Sequence, residues 1–270
     1  MKRSNHLLFQ ESGKGPAVVL LHDNLMTPDS WGRQIPDLLK SEFRVVVPDF
    51  SKINGDNDLG SISHSIIALL DKLGIGRAAI CGLGMGGSIL LSLLEHYQHR
   101  IAGACFINTR FGSDDVHEKY KRAEIISALS HGEELSARTE LLKMLFGGRE
   151  RHFSQAAKQE IGSSVYQYDR DALVRNLKMM QERKDFTTLL SQLKLPTQVI
   201  YAQDDLICHP GYSQLMLSRL PNCIKDSCLV GGHMIHIENA AALTAELLEF
   251  LQAIVPRRFR PRTLYSLMAA

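Results

Sequence analysis

Four glycines crowd the segment Ile80-Cys81-Gly82-Leu83-Gly84-Met85-Gly86-Gly87, which joins an apolar run to a helical pattern. Glycine at this density permits a sharp turn and a close approach of backbone to backbone or ligand. The spacing Gly82-x-Gly84-x-x-Gly87 formally satisfies G-x-G-x-x-G, the pattern that seats a dinucleotide pyrophosphate on a helix N-terminus. Its context does not fit that chemistry. The pattern belongs after the first strand of its unit, with an acidic residue about 20 positions on. Here at least two strand-like runs come first, and Asn108 stands near the later position. The other reactive side chains are scattered. The cysteines Cys81, Cys105, Cys208, Cys223 and Cys228 form no CxxC pair and read as reduced thiols. Cys81 falls inside a strand, where a thiol is inert, and nothing beside Cys208 lowers its pKa. The histidines show no HExxH; His233 and His236 form an HxxH, with His236 expected to pack rather than to bind metal.

The elements that must position these residues alternate. Runs at 17–21, 44–49, 78–81, 102–107 and 197–202 read as buried strands, and 62–73, 88–97 and 240–254 as helices. Strands alternating with helices predict an α/β fold with a mostly parallel central sheet flanked by helices. Between 111 and 190 there is only helical patterning, at 120–129, 134–146, 152–161 and 172–181. The expected organisation is therefore a core from 1–110 and 191–270 with a helical cap at 111–190. A cap inserted there overhangs the carboxyl edge of the sheet, where open α/β sheets bind ligands.

Placed on those elements, the glycine segment resembles the nucleophile elbow G-x-S-x-G of the α/β-hydrolase superfamily, in its capped esterase, lactonase and C–C-hydrolase-like branch. Gly82 and Gly86 match the flanking glycines; Gly84 stands where the family has its serine, and Leu83 precedes it. Leu20-Leu21-His22-Asp23-Asn24 resembles the family's H-G-x loop, with Asp23 at the glycine. Pro196 to Pro210 resembles its strand-plus-acid segment, with Ala202 at a glycine. Gly231-Gly232-His233 with Glu238 resembles its histidine loop. The resemblance spans about residues 8–253. It implies Asp205 as catalytic acid, His233 as base, and the backbone N–H groups of Asn24 and Met85 as oxyanion donors. It also implies a structural role for His22 in holding the loop. Asp204 reads as a surface turn residue. Asp23 either caps its loop or places a carboxylate near the pocket, where it would repel a developing anion.

Glycine has no side-chain atom to attack a carbonyl, so acyl-enzyme formation at Gly84 is excluded. An elbow residue sits at positive φ, which costs an ordinary residue about 1–3 kcal/mol and glycine little. Two functions follow as expectations. Either the Asp205–His233 pair serves as general base on water or substrate, or the protein is a non-catalytic binder or scaffold with a degenerate triad. The expected partner is a small apolar or acyl-type ligand, with no cofactor and no metal. The charge balance of 31 basic and 29 acidic residues gives no reason to expect nucleic acid. No apolar stretch has the length of a signal peptide or membrane span, so a cytoplasmic location and no stable membrane insertion are expected. The tail 256–263, with four arginines beside Phe259, reads as solvated.

Overall fold

A computed structural model describes residues 2–4, 7–53 and 58–255. The arginine-rich tail lies outside them. Among the described residues, eight strands form one sheet: β1 (Lys2–Ser4), β2 (Leu7–Ser12), β3 (Ala17–Leu21), β4 (Arg44–Asp49), β5 (Ala78–Leu83), β6 (Ile101–Ile107), β7 (Thr197–Ala202) and β8 (Cys223–Leu229). Their order is β1-β2-β4-β3-β5-β6-β7-β8. The β1–β2 and β2–β4 pairs are antiparallel; every pair from β4–β3 to β7–β8 is parallel. The result is a mostly parallel sheet with helices on both faces, the architecture expected from the alternating runs.

The helices are α1 (Ile35–Lys40), α2 (Leu59–Lys72), α3 (Met85–Tyr97), α4 (Val116–Ser130), α5 (Glu134–Phe146), α6 (Gln155–Gln167), α7 (Arg170–Gln181), α8 (Thr187–Leu190), α9 (Pro210–Leu217), α10 (Ile235–Glu238) and α11 (Ala240–Ile254). Central strands are covered on both faces, which is why their sequences are continuous apolar runs. Alternate residues serve opposite cores. Val19, Leu21 and Ile80 pack with α2 and α3 through Ile66, Leu70, Ile89 and Leu93. Val18, Leu20 and Cys81 pack with α11 through Leu243, Leu247 and Phe250. Among the described residues no helix is long and apolar enough to cross a membrane.

The five strands expected from the sequence are present, and three more were not foreseen. β8 (CIKDSCL) alternates between half-buried and exposed positions because it is a sheet edge, so it carries no apolar run. β2 joins the sheet through antiparallel pairing with both β1 and β4. Between β6 and β7 the chain is helical: α4 to α7 enclose Leu129, Leu141, Leu145, Ile161, Val165 and Leu173. That cluster also takes in Leu25 and Met26 after β3, and Met234 and Ile237 near the start of α10. Helices α4 to α7 therefore pack onto the same loops that the sheet presents at its carboxyl edge.

Candidate functional site

The β5–α3 turn is the sharpest in the site. Gly84 has φ 53° and ψ −113°, a conformation that only glycine adopts without strain. Its N–H is fixed to the Ile107 carbonyl at 3.0 Å. Close approach sets the second glycine: a Cβ on Gly86 would stand 2.6 Å from the Leu21 carbonyl carbon and closer still to its oxygen. Helix α3 thus starts hard against β3, and Leu83 is fully buried at the end of β5.

A carboxylate fills the space beside Gly84. A Cβ on Gly84 would lie 2.5 Å from Asp23 Cγ and 3.0 Å from its Oδ2, with Oδ1 nearer still. The Asp23 side chain therefore occupies ground that an elbow side chain would need. The Met85 N–H donates to Asp23 Oδ1 at 2.6 Å. The Asn24 N–H also acts to lower the pKa of the Asp23 carboxylate. The Met85 donor assigned to an oxyanion is thus engaged by the protein's own anion. No side chain of its own caps α3; Asp23 reaches across from the loop after β3 and supplies that negative charge at the positive end of the helix.

His22 holds this loop in place. Its Nε2 accepts from the Phe50 N–H at 3.0 Å, which leaves Nδ1–H to donate to the Asp23 carbonyl at 2.8 Å. Burial pushes its pKa down despite the bonded carbonyl and the charges of Asp49 and Asp23, consistent with that neutral tautomer.

His233 joins two carboxylates. Its Nδ1 lies 2.8 Å from Asp205 Oδ2 and its Nε2 lies 3.0 Å from Asp23 Oδ2. An ionised carboxylate only accepts, so a ring that satisfies both partners donates from both nitrogens and is imidazolium. Burial alone would lower the His233 pKa, but the charge and hydrogen bond of Asp205 and the bonds from Asp23 and Cys208 hold it well above the usual value. Burial likewise acts to raise the Asp23 pKa; the His233 bond and charge with the Met85 and Asn24 donors bring it below the usual carboxylate range. The proton therefore resides on the histidine. Asp205 is fixed from behind: its Oδ1 accepts from the N–H groups of Ile207 and Cys208, both at 2.8 Å.

Three residues that shape this centre were not singled out for it from sequence. Asn108 at φ 43° ties the ends of β6 and β7 to the histidine loop. Its Nδ2 donates to the His233 carbonyl at 3.0 Å, and its Oδ1 accepts from the Ala202 N–H at 2.8 Å. Arg149 from the helical insertion bridges Asp204 and Glu238, while Glu238 accepts from the Gly232 N–H at 2.7 Å. Asp204, expected as a surface turn residue, lies in a turn and is also an ion-pair partner of Arg149. Ser88, one turn into α3, presents a buried Oγ without a hydrogen-bond partner among the described residues. His236 is buried against Trp31, 5.7 Å between ring centroids, and burial pushes its pKa down to about 3.

Asp23, Gly84, Met85, Ser88 and His233 line one end of a cavity of about 190 Å³. Leu141, Met144, Leu145, Leu177 and Met180 make its apolar wall, and Arg110, Lys121, Arg122 and Arg183 also line it. Cys208 faces the same space; burial raises its pKa, so the thiol stays protonated. Among the described residues, Asp205, Cys208 and His233 bring ligand-type atoms within 4.8 Å of one another. The short Asp205–His233 bond already consumes two of those atoms.

A family model described as alpha/beta hydrolase fold matches residues 16–240. Bifunctional epoxide hydrolase 2 of Sus scrofa is 23% identical over 93% of this chain and 54% of its own length. The chain thus spans about half of that relative. The 2-hydroxy-6-oxononadienedioate/2-hydroxy-6-oxononatrienedioate hydrolase of Burkholderia vietnamiensis is 23% identical, covering 90% of each chain. Among solved structures, a thermophilic esterase from Thermogutta terrifontis superposes with a TM-score of 0.84 at 25% identity, over 92% of this chain and 93% of that one. The enol-lactonase of Burkholderia xenovorans gives 0.82 at 22% identity, over 91% and 96%.

Proposed function

Since the chain belongs to the alpha/beta hydrolase fold family, we propose that it is a hydrolase that works through the linked side chains Asp23, His233 and Asp205 on small, largely apolar molecules held beneath the helical cap. The continuous contact Asp205–His233–Asp23, at 2.8 and 3.0 Å, carries this reading. A serine-type acyl transfer has no support, because Gly84 offers no nucleophile and the Met85 N–H is engaged by Asp23. His233 in its resting form is a proton donor. It becomes the general base expected of the dyad once Asp23 is neutralised or displaced, since the bond that holds the extra proton is then lost. Asp205 keeps the ring oriented throughout. The five free thiols, including the register partners Cys81 and Cys105, support a reducing, cytoplasmic setting.

The relatives set the substrate panel: carboxylic esters, lactones, vinylogous 1,5-diketones and epoxides of small size. One class should be turned over, and His233→Ala should lower that rate by about 10²–10⁴-fold, the usual contribution of a positioned acid or base. Turnover unchanged in His233→Ala contradicts the reading. A second reading, a binding protein without turnover, is favoured by the Asp23 carboxylate sitting in the oxyanion position. It predicts a ligand that raises the melting temperature and is recovered intact.

A further inference from the structure

We propose that Asp23 is itself the nucleophile, a carboxylate that has taken over from the loop after β3 the position left open by Gly84, and that it attacks a saturated carbon to form an ester intermediate. The inference rests on the hydrolase reading and specifies its electrophile.

The two oxygens of Asp23 are differently placed. Oδ1 is held by the Met85 N–H at 2.6 Å, and Oδ2 faces His233 Nε2 at 3.0 Å. This division argues against a carbonyl substrate. An acyl group would need the Met85 N–H for its own oxygen, and attack by a carboxylate would produce a mixed anhydride. A saturated carbon makes no such demand, because its displacement develops no oxyanion at the carbon attacked. The donors are needed in the second step, when water adds to Asp23 Cγ and the negative charge develops on Oδ1. Oδ1 already rests there.

The charges run in the same direction. In the first step Oδ2 forms a bond to carbon while the bond from that carbon to its leaving group breaks, and the leaving group carries off the electron pair. The electrophile is a strained ring ether or a primary alkyl halide. Alkylation removes the negative charge of Asp23, so His233 gives up its proton: to the ring oxygen of the ether, directly or through solvent, or to solvent when a halide departs. The imidazole then takes a proton from water as that water adds to Cγ. The tetrahedral carbon collapses and expels the alcohol, which takes up a proton, and the Asp23 carboxylate returns. For a ring ether the sum is ether plus water to diol, with no net proton change. For a halide it is halide plus water to alcohol, with one proton and one halide ion released. The apolar wall of Leu141, Met144 and Leu177 suits a hydrocarbon body, and Lys121 suits a departing anion, while the neighbouring Arg110 and Arg122 are paired with Glu118 and Asp114.

The test uses styrene oxide and 1-bromohexane as probes. His233→Gln keeps an N–H donor toward Asp23 but no base, so it should accumulate one covalent equivalent of probe, mapped to the peptide containing Asp23. The same variant with Asp23→Asn should gain none. As a measurement independent of that variant's folding, the wild-type protein at high concentration is taken through a single turnover in ¹⁸O-water. The label should appear in the Asp23 carboxylate before it appears in product from a second turnover. Turnover with label passing directly into product, and no adduct, overturns the nucleophile and leaves the hydrolase reading standing. Absence of both turnover and adduct with these probes also overturns the nucleophile. If the ester, lactone and diketone panel is silent as well, the hydrolase reading falls with it.

Discussion

Replacing Gly84 by serine would supply the third side-chain type of a catalytic triad, yet the structure predicts a destabilised and inactive protein. The new Cβ would meet Asp23 Cγ at 2.5 Å, where non-bonded carbon atoms need about 3.5–4.0 Å. The backbone at φ 53° adds about 1–3 kcal/mol for any residue with a Cβ. Expelling the carboxylate forfeits its bonds to the Met85 N–H and to His233, and bonds to charged groups contribute about 1.5–3 kcal/mol each. The expected loss for Gly84→Ser is therefore about 4–9 kcal/mol, read from urea unfolding followed by circular dichroism. Asp23→Gly alone should cost about 3–5 kcal/mol, because it leaves His233 with one carboxylate in place of two. In the double variant the collision has gone and only the backbone strain is added. Its loss should fall short of the sum of the single losses by about 3–6 kcal/mol, the contribution of the two Asp23 bonds that each single variant forfeits. Short-chain ester hydrolysis should be absent in Gly84→Ser and appear only in the double variant, where the Met85 N–H is free. Additivity within about 0.5 kcal/mol, or equal esterase activity in Gly84→Ser and the double variant, would refute the claim that Asp23 and the elbow side chain compete for one space.

The remaining tests probe the surroundings of that space. His236 is buried and neutral with its pKa pushed down to about 3 from 6.5. The unfolded chain binds more protons between those values, so stability should fall as pH drops below about 6.5, by up to about 4–5 kcal/mol at pH 3 from this residue. Urea titrations of wild type and His236→Phe should diverge over that window, and parallel curves would contradict it. Asn108→Ala unpairs the His233 carbonyl and the Ala202 N–H and puts a Cβ residue without a polar side chain at φ 43°. It should cost about 2–4 kcal/mol and lower any turnover by displacing His233; stability within about 0.5 kcal/mol of wild type would contradict its positioning role.

The parts of this site legible in the sequence are those fixed by local spacing. Gly82, Gly84 and Gly86 announce a tight strand-to-helix turn because only glycine tolerates its geometry. Asp205 and His233 follow in family order, and the structure brings them within hydrogen-bond distance. The apolar runs of β3, β4, β5, β6 and β7 are visible because both faces of those strands are buried. β8 escapes notice because, as an edge strand, it carries Lys225 and Asp226 among half-buried positions. The direction of the Asp23 side chain was equally hidden. Its partners Met85 and His233 lie 62 and 210 positions away, and only the packed loops decide which neighbour a carboxylate meets. With Asp23 on Nε2, the dyad expected to act as a base has an imidazolium resting state. Spacing along a chain carries no information on that protonation.

The claim on which the rest depends is that the Asp23 carboxylate sits on His233 Nε2 and, together with Asp205, keeps the ring protonated. Nitrogen-15 NMR of the histidine ring reads this directly, with His233 assigned by its loss in His233→Gln. In the wild-type protein both ring nitrogens should remain protonated as pH rises past 7, and the resonance should titrate well above 6.5. In Asp23→Asn the titration should move down, because one carboxylate partner has been replaced by a neutral amide. A His233 that titrates near 6.5 in both proteins, or that is unmoved by Asp23→Asn, would contradict the account.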